Sequence, residues 1–147
     1  MRIIFVRHGE SEHNAKLSGD KDSKLTKKGR LQTKHLGNKL KKYKISKIYT
    51  SNLLRAKETG KIISKMIKAP IKGALEELNE YETKLLRDRV KIRLLFSKRL
   101  RKLKKFLNDI SKDKTILIVA HGITNRIILG HLLKIPLKEQ LLRFRQH

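Results

Sequence analysis

The apolar positions of the chain alternate between short runs and helical stripes. Arg2 to Val6 is a β-branched and aromatic run of the length of a buried strand, and it stops at Arg7-His8-Gly9. A polar loop through Asn14, Gly19 and Asp22 follows. Thr26 is then placed to cap a helix running to about Leu40, with Leu36 and Leu40 on one face and Gly29 weakening the first turn. Ile45 to Thr50 predicts a second strand. After it, Ser51-Asn52 offers a cap to a helix whose Thr59, Ile62, Ile63, Met66 and Ile67 form an apolar stripe that Pro70 ends. Ile71 to Ala74 predicts a short third strand, and Leu75 to Glu82 is an acidic island in a basic chain. From Thr83 to Ile110, Leu86, Val90, Leu94, Leu100, Leu103, Phe106, Leu107 and Ile110 recur at helical intervals, as one long helix or two broken near Phe96-Ser97. Thr115 to Ala120 is the clearest strand of all. It delivers His121-Gly122 just ahead of an apolar helix from about Thr124 to Leu133.

Strands that alternate with helices imply an α/β fold: a three-layer α/β/α sandwich with a mostly parallel central sheet. Such sheets hold ligands beyond the carboxyl ends of their strands, where both His-Gly pairs fall. At 147 residues, without repeat, low-complexity tract or linker, residues 1–147 are expected to form a single domain.

Composition narrows the chemistry. The absence of cysteine removes thiolate catalysis, disulfides and Cys-based zinc sites. The first apolar run meets a charge at Arg7, which fits neither a signal peptide nor a membrane span, so a soluble, cytoplasmic protein is expected. A net charge of +25, from 38 Lys+Arg against 13 Asp+Glu, attracts phosphates, nucleic acids and anionic surfaces. Arg87 to Lys105 concentrates that charge on an amphipathic stretch, which is either the solvated back of a core helix or a nonspecific surface for nucleic acid or anionic membrane.

Phosphoryl transfer requires a nucleophile, cations or N–H groups around the equatorial oxygens, and an acid for the leaving oxygen. Arg7-His8-Gly9-Glu10-Ser11 supplies the first two. The His8 imidazole can carry the phosphoryl group, Arg7 offers a planar fork, and Gly9 lets backbone approach a ligand. Arginines nearby would disfavour a protonated, non-nucleophilic His8. Glu10, Glu12 and His13 have the chemistry of metal ligands, but no second cluster completes a site and no metal is expected.

Four blocks of the chain together resemble the histidine phosphatase superfamily, also called the phosphoglycerate mutase-like or RHG-motif family. They are Arg7-His8-Gly9-Glu10-Ser11-Glu12-His13-Asn14, Asp22-Ser23-Lys24-Leu25-Thr26 with Gly29, Ile48-Tyr49-Thr50-Ser51-Asn52-Leu53-Leu54-Arg55-Ala56 with Thr59, and Val119-Ala120-His121-Gly122. The resemblance implies that His8 is the phosphorylated nucleophile and that Arg7, Arg55 and His121 hold the phosphoryl group. Asn14 and Gly122 would add contacts to it, and Ser18, ahead of Gly19, resembles a substrate-contacting position. It also implies a proton donor on a Leu-x-Glu loop, taken here as Glu77 of Leu75-Glu76-Glu77, with Glu76 as its rival. The glycine and aromatic residues usual after that loop are replaced by Leu78-Asn79-Glu80-Tyr81-Glu82.

Members of the family hydrolyse phosphate esters or move a phosphate between positions of a phosphoglycerate. Between the acidic loop and Ala120 this chain has room for one long helix and no elaborate lid, which favours a phosphatase acting on a small phosphomonoester without a cofactor. The alternatives are a phosphoglycerate mutase using bisphosphoglycerate, a protein phosphohistidine phosphatase, and a basic nucleic-acid or anionic-surface binding protein on the same fold. The family commonly continues past a segment like Leu137 to His147 into an edge strand, whereas this sequence stops at Arg143-Phe144-Arg145-Gln146-His147, so that either the sheet is minimal or the sequence is truncated.

Overall fold

The computed structural model describes residues 2–80, 89–110 and 114–135, with side chains from residue 97 onward in the second segment. Strand β1 (Arg2–Arg7), β2 (Lys47–Ser51), β3 (Ile71–Leu75) and β4 (Thr115–Ala120) form a parallel sheet in the order β1-β4-β2-β3. The helices are α1 (Lys27–Leu40), α2 (Leu54–Ile67), α3 (Arg89–Asp109) and α4 (Gly122–Leu132).

Strand order explains the layers. The chain steps the same way across the sheet from β1 to β2 and from β2 to β3, then reverses from β3 to insert β4 in the middle. Right-handed crossovers place helices of same-direction steps on one face and the helix of the reversed step on the other. Accordingly, Leu36 and Leu40 of α1 and Ala56, Ile63 and Ile67 of α2 pack with Ile4, Val6, Ile48, Leu117 and Val119. Leu100, Leu103, Phe106 and Leu107 of α3 and Ile128 of α4 pack with Ile3, Phe5, Ile116, Ile118 and Ala120. Alternate residues of β4 thus serve opposite cores, and every residue of that strand is buried.

Most elements lie where the apolar pattern puts them, with three differences. Helix α3 runs unbroken through Phe96-Ser97, because its stripe from Leu100 to Leu107 stays on one face of the core. Helix α4 begins at Gly122, two residues ahead of Thr124, so His121 itself is its N-cap residue. Leu53 is the N-cap residue of α2 and makes no side-chain cap bond. Instead Ser51 Oγ accepts the Leu53 N–H (3.0 Å) and Asp22 Oδ1 accepts the Leu54 N–H (2.6 Å). The helical stretch expected over residues 83–88 and the C-terminal segment from Leu137 lie outside the described residues.

The loop after β1 is seated on the first turn of α1. Thr26 Oγ1 accepts the Gly29 N–H (3.0 Å) as the expected cap, and the Thr26 N–H donates to Glu10 O (3.0 Å). Gly29 weakens the helix intrinsically but is required by space: a Cβ there would lie 2.0 Å from Glu10 O. Gly29→Ala should therefore lower the thermal midpoint by several degrees, corresponding to about 1–3 kcal/mol of overpacking. Gly19→Ala, with nothing within 4 Å of the new Cβ, should leave it nearly unchanged. Equal melting of the two variants would refute this account of Gly29.

Candidate active site

Parallel pairing of β1 with β4 sets Arg7 opposite Ala120, and the His8 N–H continues the ladder to Ala120 O at 3.1 Å. The next residues of the two strands are His8 and His121. Their rings meet edge to face with centroids 5.0 Å apart. Both are buried, His8 at 6% exposure and His121 at 0%.

His8 is fixed from two sides. Its Nδ1 lies 2.6 Å from Gly9 O, a group that can only accept, so Nδ1 carries the proton and Nε2 presents a lone pair. Arg55 Nε donates to that Nε2 at 3.1 Å, while Arg55 Nη1 donates to Lys21 O at 2.6 Å. Burial, reinforced by the charges of Arg55 and Arg7 against an opposing effect of the Gly9 hydrogen bond, holds the His8 pKa down at about 4. His8 is thus a neutral imidazole at physiological pH.

Gly9 is tied in turn to α2, since its N–H donates to Thr59 Oγ1 (3.1 Å) and Thr59 Oγ1 donates to Arg55 O (2.8 Å). Thr59 matched the family pattern as a sequence residue, but this bond across the fold has no local signal. The Gly9 backbone lies so close to α1 that a Cβ would sit 2.5 Å from Gly29 O.

His121 Nε2 lies 2.8 Å from Ser51 Oγ, and its Nδ1 is 3.8 Å from Glu80 Oε2. Burial first, then the charges of Arg55, His8, Arg7 and Arg99, push its pKa down to about 2. Glu80 is itself largely withdrawn from solvent, which raises its carboxyl pKa. Thr124 and Ile123 backbone N–H groups at the start of α4, together with Arg55 and Arg7, partly offset that rise. A carboxyl with a raised pKa beside the His121 imidazole and under the charges of two guanidinium groups is suited to protonating a leaving oxygen.

The structure therefore places Glu80, rather than Glu77, beside His121. The Glu77 carboxylate faces Lys102 Nζ at 3.5 Å, and Glu76 is exposed. The reason is geometric. Strand β3 ends at Leu75, and a 3₁₀ turn over Glu76–Leu78 uses up the next residues before the chain reaches the sheet's carboxyl edge. There the Asn79 side chain accepts the Asn52 N–H (2.9 Å), Asn79 O accepts the Thr124 hydroxyl (2.9 Å), and Arg99 Nη2 donates to Glu76 O and Asn79 O. A Leu-x-Glu pattern occurs again at Leu78-Asn79-Glu80, which is the sequence signal that points to it.

Of the remaining site residues, Arg7 and Asn14 line an open cleft of about 340 Å³ with His8, Gly9, Glu10 and Gln32. Asn14 Oδ1 also accepts the Ser11 hydroxyl at 2.9 Å. Gly122 opens α4 directly after His121. Ser18 Oγ accepts the Asp20 N–H (3.0 Å) within its own turn. Glu10 and Glu12, considered above as metal ligands, are paired with Lys28 (3.2 Å) and Lys24 (3.6 Å). Along α3, Lys98, Arg101, Lys102, Lys104 and Lys105 face solvent, while Leu103 and Leu107 face the core.

Comparison with known proteins extends these observations. The family model of the histidine phosphatase superfamily (branch 1) matches residues 3–92 and 93–147. A probable phosphoglycerate mutase of Photorhabdus laumondii is 40% identical over 68 residues, which is 45% of this chain and 32% of that protein; the match thus spans about a third of the relative's length. Among solved structures, the alpha-ribazole phosphatase of Shigella flexneri superposes with a TM-score of 0.77 at 21% identity, covering 97% of this chain and 84% of that one. The mycobacterial glucosyl-3-phosphoglycerate phosphatase gives 0.72 at 21% identity, covering 95% and 83%. These likenesses bear on the fold. With its strands, its paired histidines and the family model matched along nearly its whole length, the chain belongs to the histidine phosphatase superfamily, branch 1.

Proposed function

We propose that this protein is a phosphatase that hydrolyses a small phosphomonoester through a covalent phosphohistidine on His8, with Glu80 as the proton donor. The observation that carries the reading is the His8 ring: Nδ1–H is bound to Gly9 O, which leaves a buried, unprotonated Nε2 that accepts the Arg55 Nε–H, on a residue that lines the cleft with Arg7 and Asn14.

The steps follow from the groups present. A phosphoryl dianion entering the cleft takes the Arg55 N–H away from His8 Nε2, and Arg7, Arg55 and His121 surround its equatorial oxygens. Nε2 forms the N–P bond as the ester P–O bond breaks, and the leaving oxygen takes the Glu80 proton. Water then attacks phosphorus, gives a proton to the Glu80 carboxylate, and returns the N–P electron pair to Nε2. Asn14 and Gly122 contribute hydrogen bonds to the bound phosphoryl group. Neither a metal nor an organic cofactor enters these steps. Alpha-ribazole phosphatase and glucosyl-3-phosphoglycerate phosphatase, by their names, act on phosphate esters of small molecules, which supports that substrate class here. The mutase name of the Photorhabdus relative supports a second reading, in which a phosphoglycerate accepts the phosphoryl group. Incubation with a phosphoglycerate plus bisphosphoglycerate separates the two, because the isomeric phosphoglycerate forms only in a mutase.

Hydrolysis of an aryl phosphate in the presence of chelator should leave an acid-labile, alkali-stable phosphoryl group on the protein after rapid quench. His8→Ala should lose both that label and turnover; unchanged turnover in the variant would overturn the proposal.

Glu80→Gln should slow esters of poor leaving groups by about a hundredfold or more while sparing those of good ones, since only the former need protonation. Glu77→Gln should do neither, and the reverse pattern would return the acid to Glu77.

The pH profile has a definite sign on each side. His8 must be unprotonated, so kcat/KM should hold as pH falls through the ordinary histidine range and drop only near pH 4. Glu80 must be protonated, so the basic limb should lie above the ordinary carboxylate range and disappear in Glu80→Gln. After correction for ionisation of the substrate phosphate, an acidic limb near pH 6.5, the ordinary histidine value, would contradict the neutral, buried His8.

A further inference from the structure

We propose that Ser51 is a positioning residue that fixes His121 as its Nδ1–H tautomer, so that His121 meets the phosphoryl group as a neutral hydrogen-bond donor. The inference rests on the reading of the site given above and deepens it.

Ser51 closes β2, next to β4, and is fully buried. Its oxygen has two neighbours in hydrogen-bonding range: the Leu53 N–H at 3.0 Å and His121 Nε2 at 2.8 Å. The Leu53 amide can only donate, so it takes one Oγ lone pair and leaves the hydroxyl proton to be placed. Were Nε2 also to donate, Oγ would accept twice and its own proton would be buried without a partner, at a cost of about 1–3 kcal/mol. With the hydroxyl donating to Nε2 all three groups are satisfied. The imidazole proton then resides on Nδ1.

The other side of the ring accommodates the same assignment. His121 Nδ1 is fully buried and has no hydrogen-bond partner among the described residues, and the group it faces is Glu80 Oε2 at 3.8 Å. Against an ionised Glu80 a bare Nδ1 would set its lone pair toward the carboxylate, whereas Nδ1–H is attracted to it, and the carbonyl oxygen of a protonated Glu80 accepts from Nδ1–H as well. The His121 ring lies edge to face with the His8 ring at 5.0 Å between centroids, so an Nδ1–H on His121 is a donor available to an oxygen of a phosphoryl group carried by His8. Because burial keeps His121 neutral, the ring has a single N–H to offer, and which nitrogen holds it decides whether the ring helps or repels an anion. The Leu53 amide that orients Ser51 belongs to the N-cap residue of α2, so the same turn that sets Arg55 against His8 also sets the His121 tautomer.

Two-bond proton–nitrogen correlation spectra of the ¹⁵N-labelled protein at neutral pH test this directly, with His121 assigned by the signal missing in His121→Asn. Nε2 should resonate as an unprotonated nitrogen and Nδ1 as a protonated one. In Ser51→Ala, Nε2 should gain the proton and kcat should fall by about a hundredfold, with Ser51→Thr, which keeps the hydroxyl, restoring the wild-type pattern. A wild-type His121 protonated at Nε2 would overturn the proposal, as would Ser51→Ala with an unchanged tautomer. The wild-type spectrum decides even if the variants do not fold. It also needs no turnover, so an Nδ1–H tautomer in a protein that never forms phosphohistidine would refute the phosphatase reading alone.

Discussion

The site depends on the parallel pairing of β1 with β4. These strands are far apart in sequence, yet their register sets Arg7 beside Ala120 and so brings the two His-Gly corners together. Central position makes β4 the rigid member of the pair, buried on both faces by two separate cores. The remaining groups are referred to this edge from one side: Ser51 and Arg55 from the β2–α2 connection, and Glu80 from the turn after β3. A shift of one residue in β1 would turn His8 toward the opposite face and separate it from Arg55 while leaving the apolar content of the strand intact.

Electrostatics then determine what that edge can hold. Two buried imidazoles remain neutral because burial penalises the charged form of each, and because protonating either would add a cation to a region already containing Arg55 and Arg7. Asp22 and Glu80 temper the arginines, but Glu80 is itself biased toward its protonated form. The cleft is therefore complementary to a phosphoryl dianion, whose charge lowers the cost of holding the guanidinium groups close together. The basic face of α3 acts on another scale. Lys98, Arg101 and their neighbours point to solvent, where salt screens them beyond about 8 Å, so they bear on the rate at which anions arrive more than on the chemistry at His8.

The sequence made much of this legible, and the exceptions share a cause. Strands β1 and β4 and the Thr26 cap are written in local patterns: runs of Ile and Val, and a hydroxyl three residues before a helical glycine. Residues whose positions depend only on a strand end, His8 and His121, could be placed from those patterns. Glu80 could not, because choosing between Leu75-Glu76-Glu77 and Leu78-Asn79-Glu80 depends on how many residues the 3₁₀ turn consumes, and that turn is held by Arg99, Asn52 and Thr124 from three other elements. The bond from Gly9 to Thr59 and that between Ser51 and His121 likewise join residues separated by 50 and 70 positions, where no periodicity reports them.

What distinguishes the two histidines is which edge of the ring is tied to the protein. Both carry the proton on Nδ1. In His8 that N–H is consumed by Gly9 O, so the other edge is an unprotonated Nε2, an electron-pair donor that accepts the Arg55 Nε–H. In His121, on the proposed assignment, the bare Nε2 is consumed by the Ser51 hydroxyl, so the remaining edge is the buried Nδ1–H, able to bind an oxyanion. In the proposed reaction a backbone carbonyl on one side and a serine hydroxyl on the other would thus suit one kind of side chain to the roles of nucleophile and hydrogen-bond donor, with no difference in charge between them. Protonation of either ring would erase the distinction, which is why a fold using this chemistry keeps both imidazoles out of water.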